Sequence, residues 1–168
     1  MRSRTWKAIA VLTFAGGLVL SLGRGAAAHS EDWESAERKL EGTWRVQVSL
    51  HNCQTGAPIG SPFQSLETFA RGGTMTETTS NPNFFPALRG PGHGIWSHKG
   101  NHVYDAATLA FITVNGALAK TQKISQTIEI ENNPDEFTVT AASVQFFDPA
   151  GNLLPVAGCA TATGQRFE

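Results

Sequence analysis

From Thr43 to Leu50 the chain alternates polar and apolar side chains without a break: Trp44, Val46, Val48 and Leu50 on one parity, Thr43, Arg45, Gln47 and Ser49 on the other. Successive side chains of a strand leave opposite faces, so this order describes a strand with one face buried. Turn chemistry then punctuates the chain at nearly even intervals. Gly56 to Pro62 reads as a loop and Phe63 to Ala70 as a second strand, with Arg71-Gly72-Gly73 turning the chain into Thr74 to Thr79. Asn81 to Gly94, rich in Pro and Gly, is the longest irregular segment. Ile95 to His98 and His102 to Val114 form a hairpin about Lys99-Gly100-Asn101, and Asn115-Gly116 is the strongest short hairpin signal. Lys120 to Glu131, Glu136 to Asp148 and Leu153 to Phe167 complete eight strands. Short connections and the lack of long helical periods predict an all-β fold, an eight-stranded antiparallel up-and-down barrel.

Ahead of the strands, residues 1–28 have the form of a cleaved signal peptide. Arg2, Arg4 and Lys7 make a basic start, Ala8 to Leu22 an apolar run, and Ala26-Ala27-Ala28 a small-residue cleavage site. The apolar run falls short of the ~20 residues a spanning helix needs. The domain proper is therefore expected over 29–168, secreted or periplasmic, with no membrane span after cleavage. His29 to Leu40 reads as a short helix capped by Ser30, with Trp33, Ala36 and Leu40 on one stripe, lying over one end of the barrel.

Charge narrows the partners. The full chain has 13 basic and 14 acidic residues, and the leader removes four basic ones, which leaves the mature chain near −5. Without a basic cluster, nucleic acid is excluded as a partner. An exported chain meets an oxidising compartment, so Cys53 and Cys159 are expected to pair, the alternative being two inert thiols. A bridge over such a loop contributes up to ~4–5 kcal/mol in the chain-entropy account.

That pair also bears on closure. In a closed meander the last strand runs antiparallel to the first, and a Cys53–Cys159 bridge places Val46 opposite Arg166 and Trp44 opposite Glu168, with a latitude of two residues. Trp44, Val46 and Val48 then share the inside with Ala160, Ala162, Gly164 and Arg166.

Gly42-Thr43-Trp44 after a short helix, eight meander strands and a late arginine resemble the calycin superfamily, of which lipocalins are the best-known members, in a divergent, bacterial-style exported form. A second lipocalin motif of the Thr-Asp-Tyr/Trp type is not evident. The resemblance implies that Trp44 packs across the closed end of the barrel against Arg166, both structural. It also implies a small apolar or amphipathic ligand in the interior.

Small inward residues in the last strand leave room for such a ligand, unless Phe137 or Phe146 fills it. Phe84, Phe85 and Leu88, set among prolines, are candidates for a lid over the mouth, Phe84 and Phe85 being the ligand-binding ones. Trp96 and Tyr104, counted as cross-strand neighbours, are candidates for an aromatic wall. Gln126, among Ile124, Ile128 and Ile130, is a polar group on an inward face that must find a partner. His93, His98 and His102 lie close in sequence, but they do not share a parity, and no metal site is assigned; nor is any cofactor. No spacing singles out a nucleophile, so no catalytic residue is named. An isomerase or cyclase acting on a lipid-like substrate would need a titratable group inside, for which Tyr104 and His93 are the candidates. A protein-binding or inhibitor module would instead have a filled barrel and an apolar patch around Phe84 and Phe85.

Overall fold

A computed structural model describes residues 39–130 and 132–167. The expected leader and nearly all of the expected helix (29–38 of His29 to Leu40) lie outside the described residues. Eight strands follow one another: β1 (Gly42–His51), β2 (Pro58–Ala70), β3 (Thr74–Thr79), β4 (Leu88–Gly100), β5 (Val103–Val114), β6 (Ala117–Glu129), β7 (Glu136–Phe147) and β8 (Leu153–Arg166). Each pairs with its chain neighbour, and β8 returns to β1, so the sheet is a closed antiparallel barrel. Among the described residues no helix is long and apolar enough to cross a membrane.

The seam between β1 and β8 keeps the expected parity but moves by one step of two: Trp44 lies opposite Arg166 and Val46 opposite Gly164. Cys53 and Cys159 are bonded, yet they are not a ladder pair; His51 is the residue opposite Cys159. The chain has already left the strand at Asn52, whose side chain accepts from the backbone N–H of Gln54 and Thr55 to make a turn. That displacement accounts for the shift.

A similar shift separates Trp96 from Tyr104. Trp96 pairs with Ala106, and Tyr104 pairs with His98. The turn is Asn101-His102, with φ of 48° and 67°, instead of Lys99-Gly100-Asn101. Two central residues of positive φ twist a two-residue loop in the sense the strands require.

Two strands are longer than the sequence suggests. β2 starts at Pro58, beyond a bulge between Val48 and Leu50 of β1. β4 starts at Leu88, inside the segment read as irregular, because the irregularity between Arg89 and Gly92 absorbs Pro91, which has no N–H for a ladder. The shift between Val139 and Ala142 in the β7–β8 register is a further bulge, at the paired alanines Ala141-Ala142.

The apolar core fills one end of the barrel. Leu40, Trp44, Phe69, Trp96, Tyr104 and Phe137 are its larger members, and all are buried. Phe137 packs on Trp44 with ring centroids 4.9 Å apart. Its ring occupies the space where Gly164 has no side chain, since a Cβ there would lie 2.3 Å from ring carbons. Arg166 closes this end. Its guanidinium lies 4.3 Å from the Trp44 ring and donates to the carbonyls of Glu41, Lys39 and Pro134 and to the Asp135 carboxylate. Gly42 is required here twice over: its φ is +126°, and a Cβ would lie 2.9 Å from the Arg166 guanidinium. Gly-x-Trp is thus the footprint of an arginine far along the chain.

At the β5–β6 turn Asn115 and Gly116 both have positive φ, 50° and 80°. A Cβ at Gly116 meets nothing, so space is not at issue. Gly116→Ala is expected to destabilise by about 1 kcal/mol through backbone conformation alone, as read by urea unfolding.

Candidate functional site

Inward side chains change character halfway along the barrel. Beyond the apolar core lies a belt of polar groups from β2, β3, β4 and β6: Ser65, Glu67, Glu77, Arg89, Gln122 and Gln126. The pattern follows from parity. Ser65 and Glu67 alternate with exposed Gln64 and Leu66 between inward Phe63 and Phe69, and Glu77 follows Met75 by two.

Glu67 and Glu77 are directly opposed across the β2–β3 ladder, and both are buried. Like charges in that relation repel, and each has a different remedy. The Glu77 carboxylate pairs with the Arg89 guanidinium and also accepts from the Ser65 hydroxyl at 3.1 Å. Arg89, with its side chain only 3% exposed, is held at each of its three nitrogens: Nε donates to Gln122, one terminal nitrogen to Glu77 and the other to the Gly90 carbonyl. Glu67, 5% exposed, takes one hydrogen bond from the Gln126 amide at 2.9 Å, across the barrel. Burial is the main cause that pushes its carboxyl up from 4.5 to about 7; the Gln126 bond opposes this and the Glu77 charge adds to it.

Above the belt, at the end away from Trp44, is a cavity with room for about 60 Å³ of water-molecule centres. Its walls differ. Val48, Leu50, Ile124, Val144, Ala160 and Ala162 are apolar, whereas Ser65, Glu67, Glu77, Arg89, Gln122 and Gln126 are polar. Small Ala160 and Ala162 leave the space open, and Phe137 stays at the sealed end with Gly164.

Phe84 lines the mouth of the cavity, its ring 5.9 Å from the Arg89 guanidinium carbon. It ends the short 3₁₀ turn Pro82–Phe84, which Asn81 caps by accepting from the Asn83 N–H. Residues of such a turn step by about a third of a circle, so the next side chain cannot point the same way. Phe85 is 88% exposed and faces solvent, not the mouth.

The remaining sequence candidates divide. Gln126 lines the cavity. Trp96 and Tyr104 do not; both belong to the sealed core, where the Trp96 indole donates to the carbonyls of Ala70 and Thr74. Their shared face is inward, but on the apolar side of the belt. His98 packs against Tyr104 there with centroids 5.0 Å apart, while His93 and His102 are exposed. Of the residues considered for titration inside the barrel, Tyr104 is in the core and His93 on the outer surface. Glu67 holds that place instead. Among the described residues no group of three or more His, Cys, Asp or Glu is arranged to hold a metal ion.

A wider depression, about 620 Å³, lies on the outer wall against Ile95, Ser97, Asp105, Ala107 and Thr127. It is open, and Gln126 and Ala142 line both it and the cavity.

The fold has a solved counterpart. A chain described as EF1p2_mFAP2b bound to DFHBI superposes with a TM-score of 0.50 and 20% identity, over 80% of this chain and 99% of that one. At that identity the likeness is one of fold. No protein-family model matches the chain, and no curated protein matches it.

Proposed function

We propose that this barrel binds a small apolar or amphipathic molecule in the cavity between the polar belt and Phe84, as an exported, lipocalin-like carrier. The observation that carries the reading is the two-sided wall: an apolar surface to remove a ligand from water, faced by a few converging polar groups to fix its orientation. The Trp44–Arg166 contact at the sealed end supports the lipocalin-like reading. The leader-like residues 1–28 and the Cys53–Cys159 bridge support an oxidising, exported location. The similar solved chain was bound to the small molecule DFHBI, a precedent for ligand binding on this fold.

In the closed arrangement the cavity of about 60 Å³ is well below the ~150 Å³ that takes up benzene in an engineered protein core. A ring-sized ligand therefore needs the Phe84 side chain to swing out, and the population with Phe84 outward limits affinity. Phe84→Ala removes that step and is expected to tighten binding of a ring-sized molecule roughly tenfold, mainly by faster association. Phe85→Ala should leave it unchanged. Calorimetric titration with benzyl alcohol separates the two.

The direct test is native mass spectrometry of the mature protein from its own compartment, before and after organic extraction. A bound small molecule that extraction removes supports the reading, and its loss on Gln126→Leu places it at the belt. An unliganded mass together with no uptake of benzyl alcohol by Phe84→Ala overturns it.

One observation favours a second reading. Phe85 and Leu88 are close in the chain, apolar and strongly exposed, which suits a protein-binding loop. Phe85→Ser with Leu88→Ser would then abolish co-purification of a protein partner and leave benzyl alcohol binding intact.

A further inference from the structure

The balance of charge around the cavity goes further than its apolar wall. Resting on the interior-binding reading above, we infer that the ligand carries a cationic hydrogen-bond donor, an organic ammonium, seated on the Glu67 carboxylate, and that carboxylate ligands bind more weakly.

The inference begins with what the belt still has to offer. All three nitrogens of Arg89 already meet an acceptor, in Gln122, Gly90 and Glu77. The one guanidinium lining the cavity is thus paired with Glu77, and its charge is spent inside the belt. The Gln126 amide donates one hydrogen bond to Glu67, and the Ser65 hydroxyl points at Glu77 and at the Thr78 carbonyl. Amide N–H groups of Gln122 and Gln126 remain beyond these bonds, so what distinguishes the belt is its charge.

The open acceptor is Glu67. A carboxylate has about four lone-pair directions, and among the described residues Glu67 is met by the single bond from Gln126. It lines the cavity while being almost wholly removed from water. The groups around it come from four directions: Trp44 of β1 and Glu77 of β3 as ladder neighbours, Gln126 of β6 by hydrogen bond, and Arg89 of β4 beyond Glu77. Two carboxylates against one guanidinium leave the belt with one negative charge once Glu67 is ionised. A buried charge of that kind is relieved by a paired cation with a hydrogen bond. An ammonium supplies both; a ligand carboxylate would add a third negative group to a belt that holds one guanidinium.

The test uses three probes that share a ring and differ in the head: benzylamine, benzyl alcohol and benzoate, titrated by calorimetry at pH 8 into the mature protein and into Glu67→Gln. Benzylamine is expected to bind at least tenfold more tightly than benzyl alcohol, and benzoate more weakly than either. In Glu67→Gln, which keeps the shape and the Gln126 contact, the ratio of benzylamine to benzyl alcohol affinity should fall to about one. Benzoate binding as well as benzylamine, or an amine preference that survives Glu67→Gln, overturns the inference and leaves interior binding standing. Uptake of none of the three, by the protein or by Phe84→Ala, removes the interior-binding reading and this inference with it.

Discussion

Arg89→Met is expected to destabilise the barrel by about 3–5 kcal/mol, because it leaves the Glu77 carboxylate buried without its counter-charge. Both side chains of the pair are nearly inaccessible, at 3% and 6% exposure, so water cannot substitute for the lost guanidinium. Glu67 stands directly opposite Glu77 on β2, and it worsens the position by adding a second acid. Equilibrium unfolding in guanidinium chloride at pH 7 reads the loss. The companion variant is Glu77→Leu with Arg89→Met. Removing both charges should recover most of the stability, since a buried ion pair is worth little over well-packed apolar groups of similar size. If the single variant loses less than about 1 kcal/mol, the pair is solvated in the native state and the belt is not the dry, charge-paired layer described above.

The second large effect is on pH. The carboxyl of Glu67 sits at about 7 in the folded chain against an ordinary 4.5. The native state therefore holds this proton to higher pH than the unfolded state does. Below about 4.5 the group is protonated in both states and has no effect on the balance. As pH rises from there through 7, the unfolded chain ionises first, and stability falls, by about 3 kcal/mol in all. Glu67→Gln should abolish that decline. It should match the parent near pH 4 and exceed it by up to about 3 kcal/mol at pH 8. Urea unfolding of the two proteins across pH 4 to 8 decides the matter; parallel profiles would mean that Glu67 titrates normally. The same buried carboxyl is the one on which the ligand head is proposed above to sit.

Alternation is enough to read the barrel from the sequence. It places eight strands in order, keeps the parity of the first and last, and puts Gln126 inward. Registers are less secure, because a ladder is fixed by where a turn begins, and turns depend on which residues accept positive φ. Asn101-His102 carries no glycine at either central position, and Asn52 ends β1 ahead of Cys53; each moves a register by two. The belt is harder still. Glu67 lies between Phe63 and Phe69 on one parity, and that is a legible sign of an inward acid. Arg89 lies among Pro and Gly in what reads as a loop, so the partner that makes Glu77 tolerable inside is not visible in the sequence. Trp96 and Tyr104 show the other limit: parity tells which side chains face in, but not how far along the barrel axis each one sits. Phe84 and Phe85 fail to act together for a local reason, since a 3₁₀ turn sends consecutive side chains in different directions.

The spatial order of the strands is also their order in the chain. Seven of the eight joins are made by a continuous backbone, and the eighth, between β8 and β1, is a ladder that the disulfide from Cys53 to Cys159 ties at its open-cavity end. At the sealed end, Arg166 holds the carbonyls of Lys39 and Glu41. The molecule is in this sense a ring with its ends already in register, and no strand is privileged as the beginning. A circular permutant joining residue 167 to residue 39 through a short linker, and opened between Asn115 and Gly116, preserves every neighbour relation of the barrel. Which strand is made first is a property of synthesis, and not of the object that the strands build.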